Sequence, residues 1–295
     1  MLRISTSMQY SLARGTVEQR RSELLLLQEQ MATGRKINSL GQDPVSARKI
    51  LREDSALREV ETNRSTAQEA ELMLQQAEAS LGDVTDALQR ALEVAVRMGN
   101  DTFSAKDRET SADEINQIKQ RLVELGNTQR NGRWLFSGQG NTASPFADDG
   151  TFNGDTGTLE VPVGRGATVE ATLDGGSPFV DPTTGDSVFQ MLDSLEAALR
   201  ADDGDSVRLA VDTVQEHIDR VSSARQEIGH RFERLENVLN ALDRAELTAS
   251  ATLQQERDTD FSEAVLELQQ SEAGMRSALL ITARLNELNL TNFLG

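Results

Sequence analysis

Apolar side chains recur along this chain at alternating intervals of three and four residues, the pattern of helices that lie side by side. Leu74, Ala77, Leu81, Val84, Leu88, Ala91, Ala95 and Met98 sustain it for more than three heptads. Ile115, Ile118, Leu122 and Leu125 mark a second helix, and Val188, Leu192, Leu195 and Leu199 a third. The longest run passes through Val214, His217, Val221, Ala224, Ile228, Arg231, Leu235, Val238, Leu242 and Ala245. Only five prolines interrupt the 295 residues, so these runs predict a rod of long helices.

The period changes between about Gly138 and Asp186. This stretch holds four of the five prolines, and eight acids against the single base Arg165, a local charge of −7. Within it Leu159 to Val163 and Ala167 to Leu173 alternate in period two. Gly164-Arg165-Gly166 reads as the hairpin turn between them, because glycine tolerates the positive φ such turns require. Pro162 lacks a ladder donor, which assigns its strand to an edge. So short a segment, poor in large side chains, cannot bury a core alone and is expected to lean on the helices.

The two ends carry matching helical stripes. Tyr10, Val17, Leu24 and Met31 recur at seven, with Ala13 and Leu27 between them; Phe261, Val265, Leu268, Met275, Ala278, Leu279, Leu285 and Leu288 form a broad stripe near the finish. Residues 1–40 hold six bases and three acids, a net +3, and residues 255–295 three bases and seven acids, a net −4. Matching period and opposite charge predict that the ends pair. Such a pair is thin, and ordering it costs about 1–2 kcal/mol per residue, so both ends are expected to be labile when free and to order on assembly. Periodicity alone supports equally a closed bundle in which both ends pack within one chain.

Composition removes classes of chemistry. The net charge of −18 and the absence of Cys exclude a disulfide framework, a thiol nucleophile and the cationic face that nucleic acid requires. The first ten residues lack the apolar core of a cleaved secretory signal. The longest apolar run, Leu24 to Leu27, is far short of a membrane span, so the reading is a soluble chain with no membrane insertion. No nucleophile with a base and no phosphate cradle is present, and the reading is not an enzyme, with no cofactor and no metal. His217 reads as a packed seam residue and His230 lacks a second ligand at metal spacing. Asp202-Asp203-Gly204-Asp205 reads as a solvated turn between helices, without the alternating ligands of a calcium loop.

Three marks carry a resemblance. Met31-Ala-Thr-Gly-Arg-Lys-Ile-Asn38-Ser, followed by Gln42-Asp-Pro-Val45, resembles the N-terminal signature of the bacterial flagellin superfamily. Asp258-Thr-Asp-Phe-Ser-Glu-Ala-Val265, continuing to Leu288-Asn-Leu-Thr-Asn-Phe-Leu294, resembles its C-terminal counterpart, and Asn131-Gly-Arg-Trp-Leu-Phe-Ser-Gly138 its short strand after the inner helices. The start Met1-Leu-Arg-Ile-Ser-Thr-Ser-Met8, the Asp43-Pro44 pair and the small insertion are similar to the branch that joins hook to filament. Leu40-Gly41-Gln42 and Trp134 depart from the usual residues there.

The resemblance implies a structural protein of the flagellum that forms a layer between hook and filament by subunit polymerisation. It implies as partners further copies of the chain, hook-associated protein 1 on the hook side, flagellin on the filament side, and a cytoplasmic export chaperone on the C-terminal helix. It also implies type III export to the flagellum after a transient cytoplasmic stage. The fold class expected is mainly α: an elongated rod of long antiparallel helices with a coiled-coil-like terminal pair and a small inserted β domain. Residues 1–42 with 255–295 would form the assembly domain, 43–140 with 187–254 the inner helical rod, and 141–186 the β-rich insertion. Tyr10, Val17, Leu24, Met31, Phe261, Leu268, Met275 and Leu285 are the expected subunit contacts, and Arg35, Asn38, Asp43 and Pro44 the link between domains. Alternatives are a short filament flagellin or a coiled-coil type III secreted translocator.

Overall fold

The computed structural model describes residues 6–39, 41–164, 166–181 and 183–294, with the side chains of residues 6, 7, 9, 10 and 285–294 outside that description. The chain is mainly α-helical. In order it forms α1 (Thr6–Thr33), α2 (Pro44–Met98), α3 (Ala105–Gly126), β1 (Gln129–Arg130), β2 (Arg133–Trp134), β3 (Glu160–Gly164), β4 (Ala167–Glu170), α4 (Val188–Arg200), α5 (Gly204–Arg257) and α6 (Phe261–Leu294). It divides into two compact units, one of residues 1–58 with 245–295 and one of residues 59–244, with both boundaries inside α2 and α5.

In the larger unit the helical stripes become the core. Every residue of the Leu74 to Met98 stripe is buried, as are Ile115, Ile118, Leu122 and Leu125 on α3 and Val188, Leu192, Leu195 and Leu199 on α4. The α5 stripe is buried at Val214, His217, Val221, Ile228, Arg231, Leu235 and Leu242, but Ala245 is exposed. Ala249 and Leu253 continue the buried face instead.

Side-chain caps fix where helices begin. Ser104 and Asp107 make a reciprocal capping box at α3, and the Ser187 hydroxyl accepts from the Phe189 N–H at α4. Between α3 and β2 the chain reverses at Asn131 (φ 50°) and Gly132 (φ 75°). Consecutive positive φ values make this the primed two-residue turn that matches the twist of a hairpin, and Gln129 pairs with Trp134 across it.

The segment read as poor in large side chains nevertheless contributes to a cluster of rings. Five of the nine phenylalanines gather where residues 136–189 meet the ends of α3 and α4: Phe146 lies with ring centroids 5.3, 4.9 and 5.1 Å from Phe152, Phe179 and Phe189, and Phe136 lies 5.3 Å from Phe179. Aromatic edge-to-face pairs contribute beyond their buried area, which lets a strand-poor segment hold its place. The β3–β4 hairpin packs separately, burying Val163 and Val169 with Ala67 and Ala70 of α2 and Leu235 of α5. Arg231, buried in the α5 stripe, reaches Glu170 at 2.8 Å and Glu227 at 3.0 Å and donates to the Thr172 carbonyl. An arginine at a seam position thus pins β4 to α5, because each of its three guanidinium nitrogens has a partner there.

Candidate assembly surface

In the smaller unit two connections run side by side. Gly34 ends α1 at φ 69°, a left-handed conformation glycine adopts without a Cβ clash. The chain then turns so that Arg35 bridges Asp258, between α5 and α6, in antiparallel fashion. The Lys36 N–H donates to the Arg257 carbonyl at 2.7 Å and the Thr259 N–H to the Gly34 carbonyl at 3.0 Å. The Asn38 side-chain oxygen accepts from the Thr33 hydroxyl at 3.0 Å, and the Asn38 N–H donates to Gln42 Oε1 at 2.9 Å.

Asp43 caps α2: its Oδ1 accepts from the N–H groups of Val45 at 2.9 Å and Ser46 at 3.2 Å. Pro44 follows in the first helical position, where a missing donor costs nothing. Bonds from Ser46 and then Val45 to the ionised form hold the Asp43 carboxyl below its ordinary value. Asp260 repeats the arrangement at α6, accepting from Ser262 at 2.8 Å and Glu263 at 3.2 Å. Arg35, Asn38, Asp43 and Pro44, expected as the link between domains, lie between α1 and the first residue of α2, within the smaller unit.

α1 packs on α6. Val17, Leu24, Met31, Leu268 and Met275 are half-buried in this pair, whereas Phe261 is 63% exposed. Tyr10 and Leu285 lie within α1 and α6, but their side chains fall outside the described residues. No described residue of α1 is fully buried, and on α6 only Ala264 and Ser271 are. The opposite charges of the two ends are not expressed as ion pairs between the helices among the described residues. Arg14 and Arg20 pair instead within α1, with Glu18 at 3.4 Å and Glu23 at 3.0 Å, because an acid one turn away on the same helix is reached first.

Twelve of the fifteen exposed large apolar side chains among the described residues belong to this smaller unit, so the uncovered apolar surface is concentrated, not scattered. Leu12 is 69%, Leu280 65% and Ile281 58% exposed. An apolar groove of about 610 Å³ between α1 and α6 is lined by Met8, Leu12, Ala13, Gly274, Ala278 and Ile281. The heptad reading named Ala13 and Ala278 but missed Met8, Leu12, Gly274 and Ile281, because it seeks one face per helix. Their signal is contiguity: a helix buries a stripe of roughly 100°, so Leu24 to Leu27 and Leu279-Leu280-Ile281 must present apolar groups on more than one side.

The polar candidates elsewhere have structural partners. The Asp203 carboxylate caps α5 by accepting from Asp205 and Ser206 N–H groups at 3.1 Å, and Asp202 pairs with the buried Arg108, which also donates to the Met98 and Asn100 carbonyls at 3.0 and 3.1 Å. His230 is exposed, 3.9 Å from Glu233. His217 is 1% exposed; its Nδ1 accepts from Arg220 Nη1 at 3.0 Å and its Nε2 lies 3.3 Å from the Asp186 carboxylate. Among the described residues no group of three or more His, Asp or Glu is arranged to hold a metal ion. No helix there is long and apolar enough to cross a membrane.

Comparison with known proteins finds matches at both ends of the chain, each running from the smaller unit into the larger. Residues 4–141 match the bacterial flagellin N-terminal helical region and residues 211–294 the bacterial flagellin C-terminal helical region. The flagellar hook-associated protein 3 of Salmonella typhimurium is 30% identical over 214 residues, covering 68% of this chain and 67% of the relative. That of Escherichia coli is 28% identical over 265 residues, covering 80% and 82%. In three dimensions the chain is similar to the crystal structure of hook-associated protein-3 from Legionella pneumophila, with TM-score 0.62 and 16% identity, covering 70% of this chain and 98% of that one.

Proposed function

Because the chain belongs to the flagellar hook-associated protein 3 family of bacterial flagellins, we propose that it joins hook to filament by packing its terminal helices against neighbouring axial subunits. It is a structural component of the flagellum at the hook–filament junction. The observation that carries the packing mechanism is the concentration of exposed apolar side chains on and around α1 and α6. A helix pair this thin leaves its own apolar surface wet, and neighbours that cover it supply the missing burial.

The contacts are assigned to Tyr10, Val17, Leu24 and Met31 of α1 and Phe261, Leu268, Met275 and Leu285 of α6, with Arg35, Asn38, Asp43 and Pro44 linking this domain to the next. The neighbours are further copies, hook-associated protein 1 on the hook side and flagellin on the filament side. Before export a cytoplasmic chaperone covers α6, where Leu266, Leu279, Leu280 and Ile281 would otherwise be exposed. A contact surface that does not close on itself propagates as a tube or helix, which suits an adaptor between two tubes. No catalytic role is assigned.

Deletion of the chain, followed by inspection of cells and medium, tests the junction role. Hooks without filaments, with flagellin shed unpolymerised, is the expected result. Hooks bearing normal filaments would overturn it.

A further inference from the structure

Two helices of the smaller unit carry strips with the same spacing and opposite charge. On α2, Arg48, Leu51, Arg52 and Ser55 follow at intervals of three, one and three, and all four are exposed. On α6, Glu263, Leu266, Glu267 and Gln270 follow at the same intervals, again all exposed. These intervals place each set on one helical face. The central leucines, Leu51 and Leu266, are 52% and 60% exposed.

The charges of both strips are idle within the chain. Arg48 spends one donor on the Pro44 carbonyl of its own helix at 3.0 Å, and Arg52, Glu263 and Glu267 have no ion-pair partner among the described residues. The contrast with their neighbours is sharp: Lys49 reaches Glu256 at 2.7 Å, and Arg14 and Arg20 of α1 are both paired. Like charges one turn apart repel on an exposed helix. The chain nevertheless carries one such pair of each sign, each flanking an exposed leucine.

We propose that the α2 strip of one copy docks on the α6 strip of the next, Leu51 against Leu266 with Arg48 and Arg52 facing Glu263 and Glu267. This names a contact within the assembly reading above and rests on it. The occupant is a second copy because the two strips complement each other in charge, spacing and apolar centre. Two α2 strips, or two α6 strips, would meet with like charges, so the contact rejects symmetric pairing. Where the contact is not returned between the same two copies it is heterologous and leaves an open strip at each end for the next copy.

The chain contains no Cys, so engineered thiols report the contact directly. Chains carrying Leu51→Cys alone and Leu266→Cys alone are co-expressed in the deletion strain, and isolated flagella are oxidised. A disulfide-linked dimer is expected from the mixture and at least tenfold less from either chain by itself. Only monomer from the mixture, equal dimer from one chain alone, or attachment solely to a different flagellar protein would overturn the proposal.

A second test does not depend on thiol geometry. Arg48→Glu with Arg52→Glu should reduce filament-bearing cells at least tenfold, and adding Glu263→Arg with Glu267→Arg to the same chain should restore them. Normal filaments with the first pair, or no rescue by the second, would overturn the contact. Such filaments in cells that shed flagellin without the chain would leave the junction role standing, whereas filaments in the deletion strain itself would overturn that role instead.

Discussion

His217 illustrates how one residue can satisfy a helical pattern and still carry chemistry. It occupies a seam position of α5, where burial strips water from the imidazole and moves its pKa below the ordinary histidine value. Asp186 works against that shift and Arg220 adds to it. Because Nδ1 accepts from Arg220, the ring is neutral with its proton on Nε2, towards Asp186. Arg220 is held in turn by Asp181 at 3.3 Å, so the group ties α5 to the segment before α4. The unfolded chain takes up a proton near pH 6.5 that the folded chain refuses. Stability is therefore lost as pH falls from about 6.5 towards the lower folded value. His217→Asn keeps an acceptor for Arg220 and removes the titration. Urea midpoints at pH 7 and pH 5.5 should converge in this variant relative to the parent; an equal drop in both would show that His217 does not titrate this way. Arg108 and Arg231 belong to the same class of seam residue. Their partners were not legible in sequence, because Asp202 and Glu170 lie 94 and 61 positions away and only the fold brings them together.

Among elements, α3 shows where local propensity and packing disagree. Gly126 closes the helix, and alanine there would ordinarily favour helix by about 1 kcal/mol. A Cβ at that position meets the Phe146 ring at 2.7 and 2.9 Å, and moving the ring disturbs the phenylalanine cluster. Overpacking of this kind costs about 1–3 kcal/mol, so Gly126→Ala should destabilise by about 1 kcal/mol or more. Gly82, inside α2 with no atom within 4 Å of a Cβ, provides the control: Gly82→Ala should stabilise by about 0.5–1 kcal/mol. Denaturant midpoints check both, and a gain at Gly126 would refute the ring contact. The helices were readable because a buried stripe repeats every few residues, as Leu74 to Met98 does. The Asn131-Gly132 reversal was equally present as a dipeptide signature within a segment read only as a short strand. The phenylalanine cluster was not readable, since five rings spread from Phe136 to Phe189 carry no common period.

At the scale of the molecule the two units differ in what holds them. The larger unit buries its helical stripes around a continuous core, whereas α1 has no fully buried described residue. A charge placed in the terminal pair should therefore spare the larger unit and strike assembly. Leu24→Glu and Leu268→Glu are expected to leave the main unfolding transition within about 0.5 kcal/mol of the parent and the chain secreted, while abolishing filament attachment. Normal motility in these variants would defeat the assignment of Leu24 and Leu268 to subunit contacts. The sequence by itself determined the helical class, the position of the hairpin and the pairing of the two ends, because each is written in short-range periodicity and turn chemistry. It did not determine which charges the chain uses on itself. The +3 and −4 of the two ends pointed to ion pairs across α1 and α6, yet Arg14 and Arg20 of α1 found acids one turn away. Arg48, Arg52, Glu263 and Glu267 were left facing solvent beside exposed leucines. That outcome depends on which face of each helix the neighbours cover, a quantity set by three-dimensional packing and by nothing local in the chain.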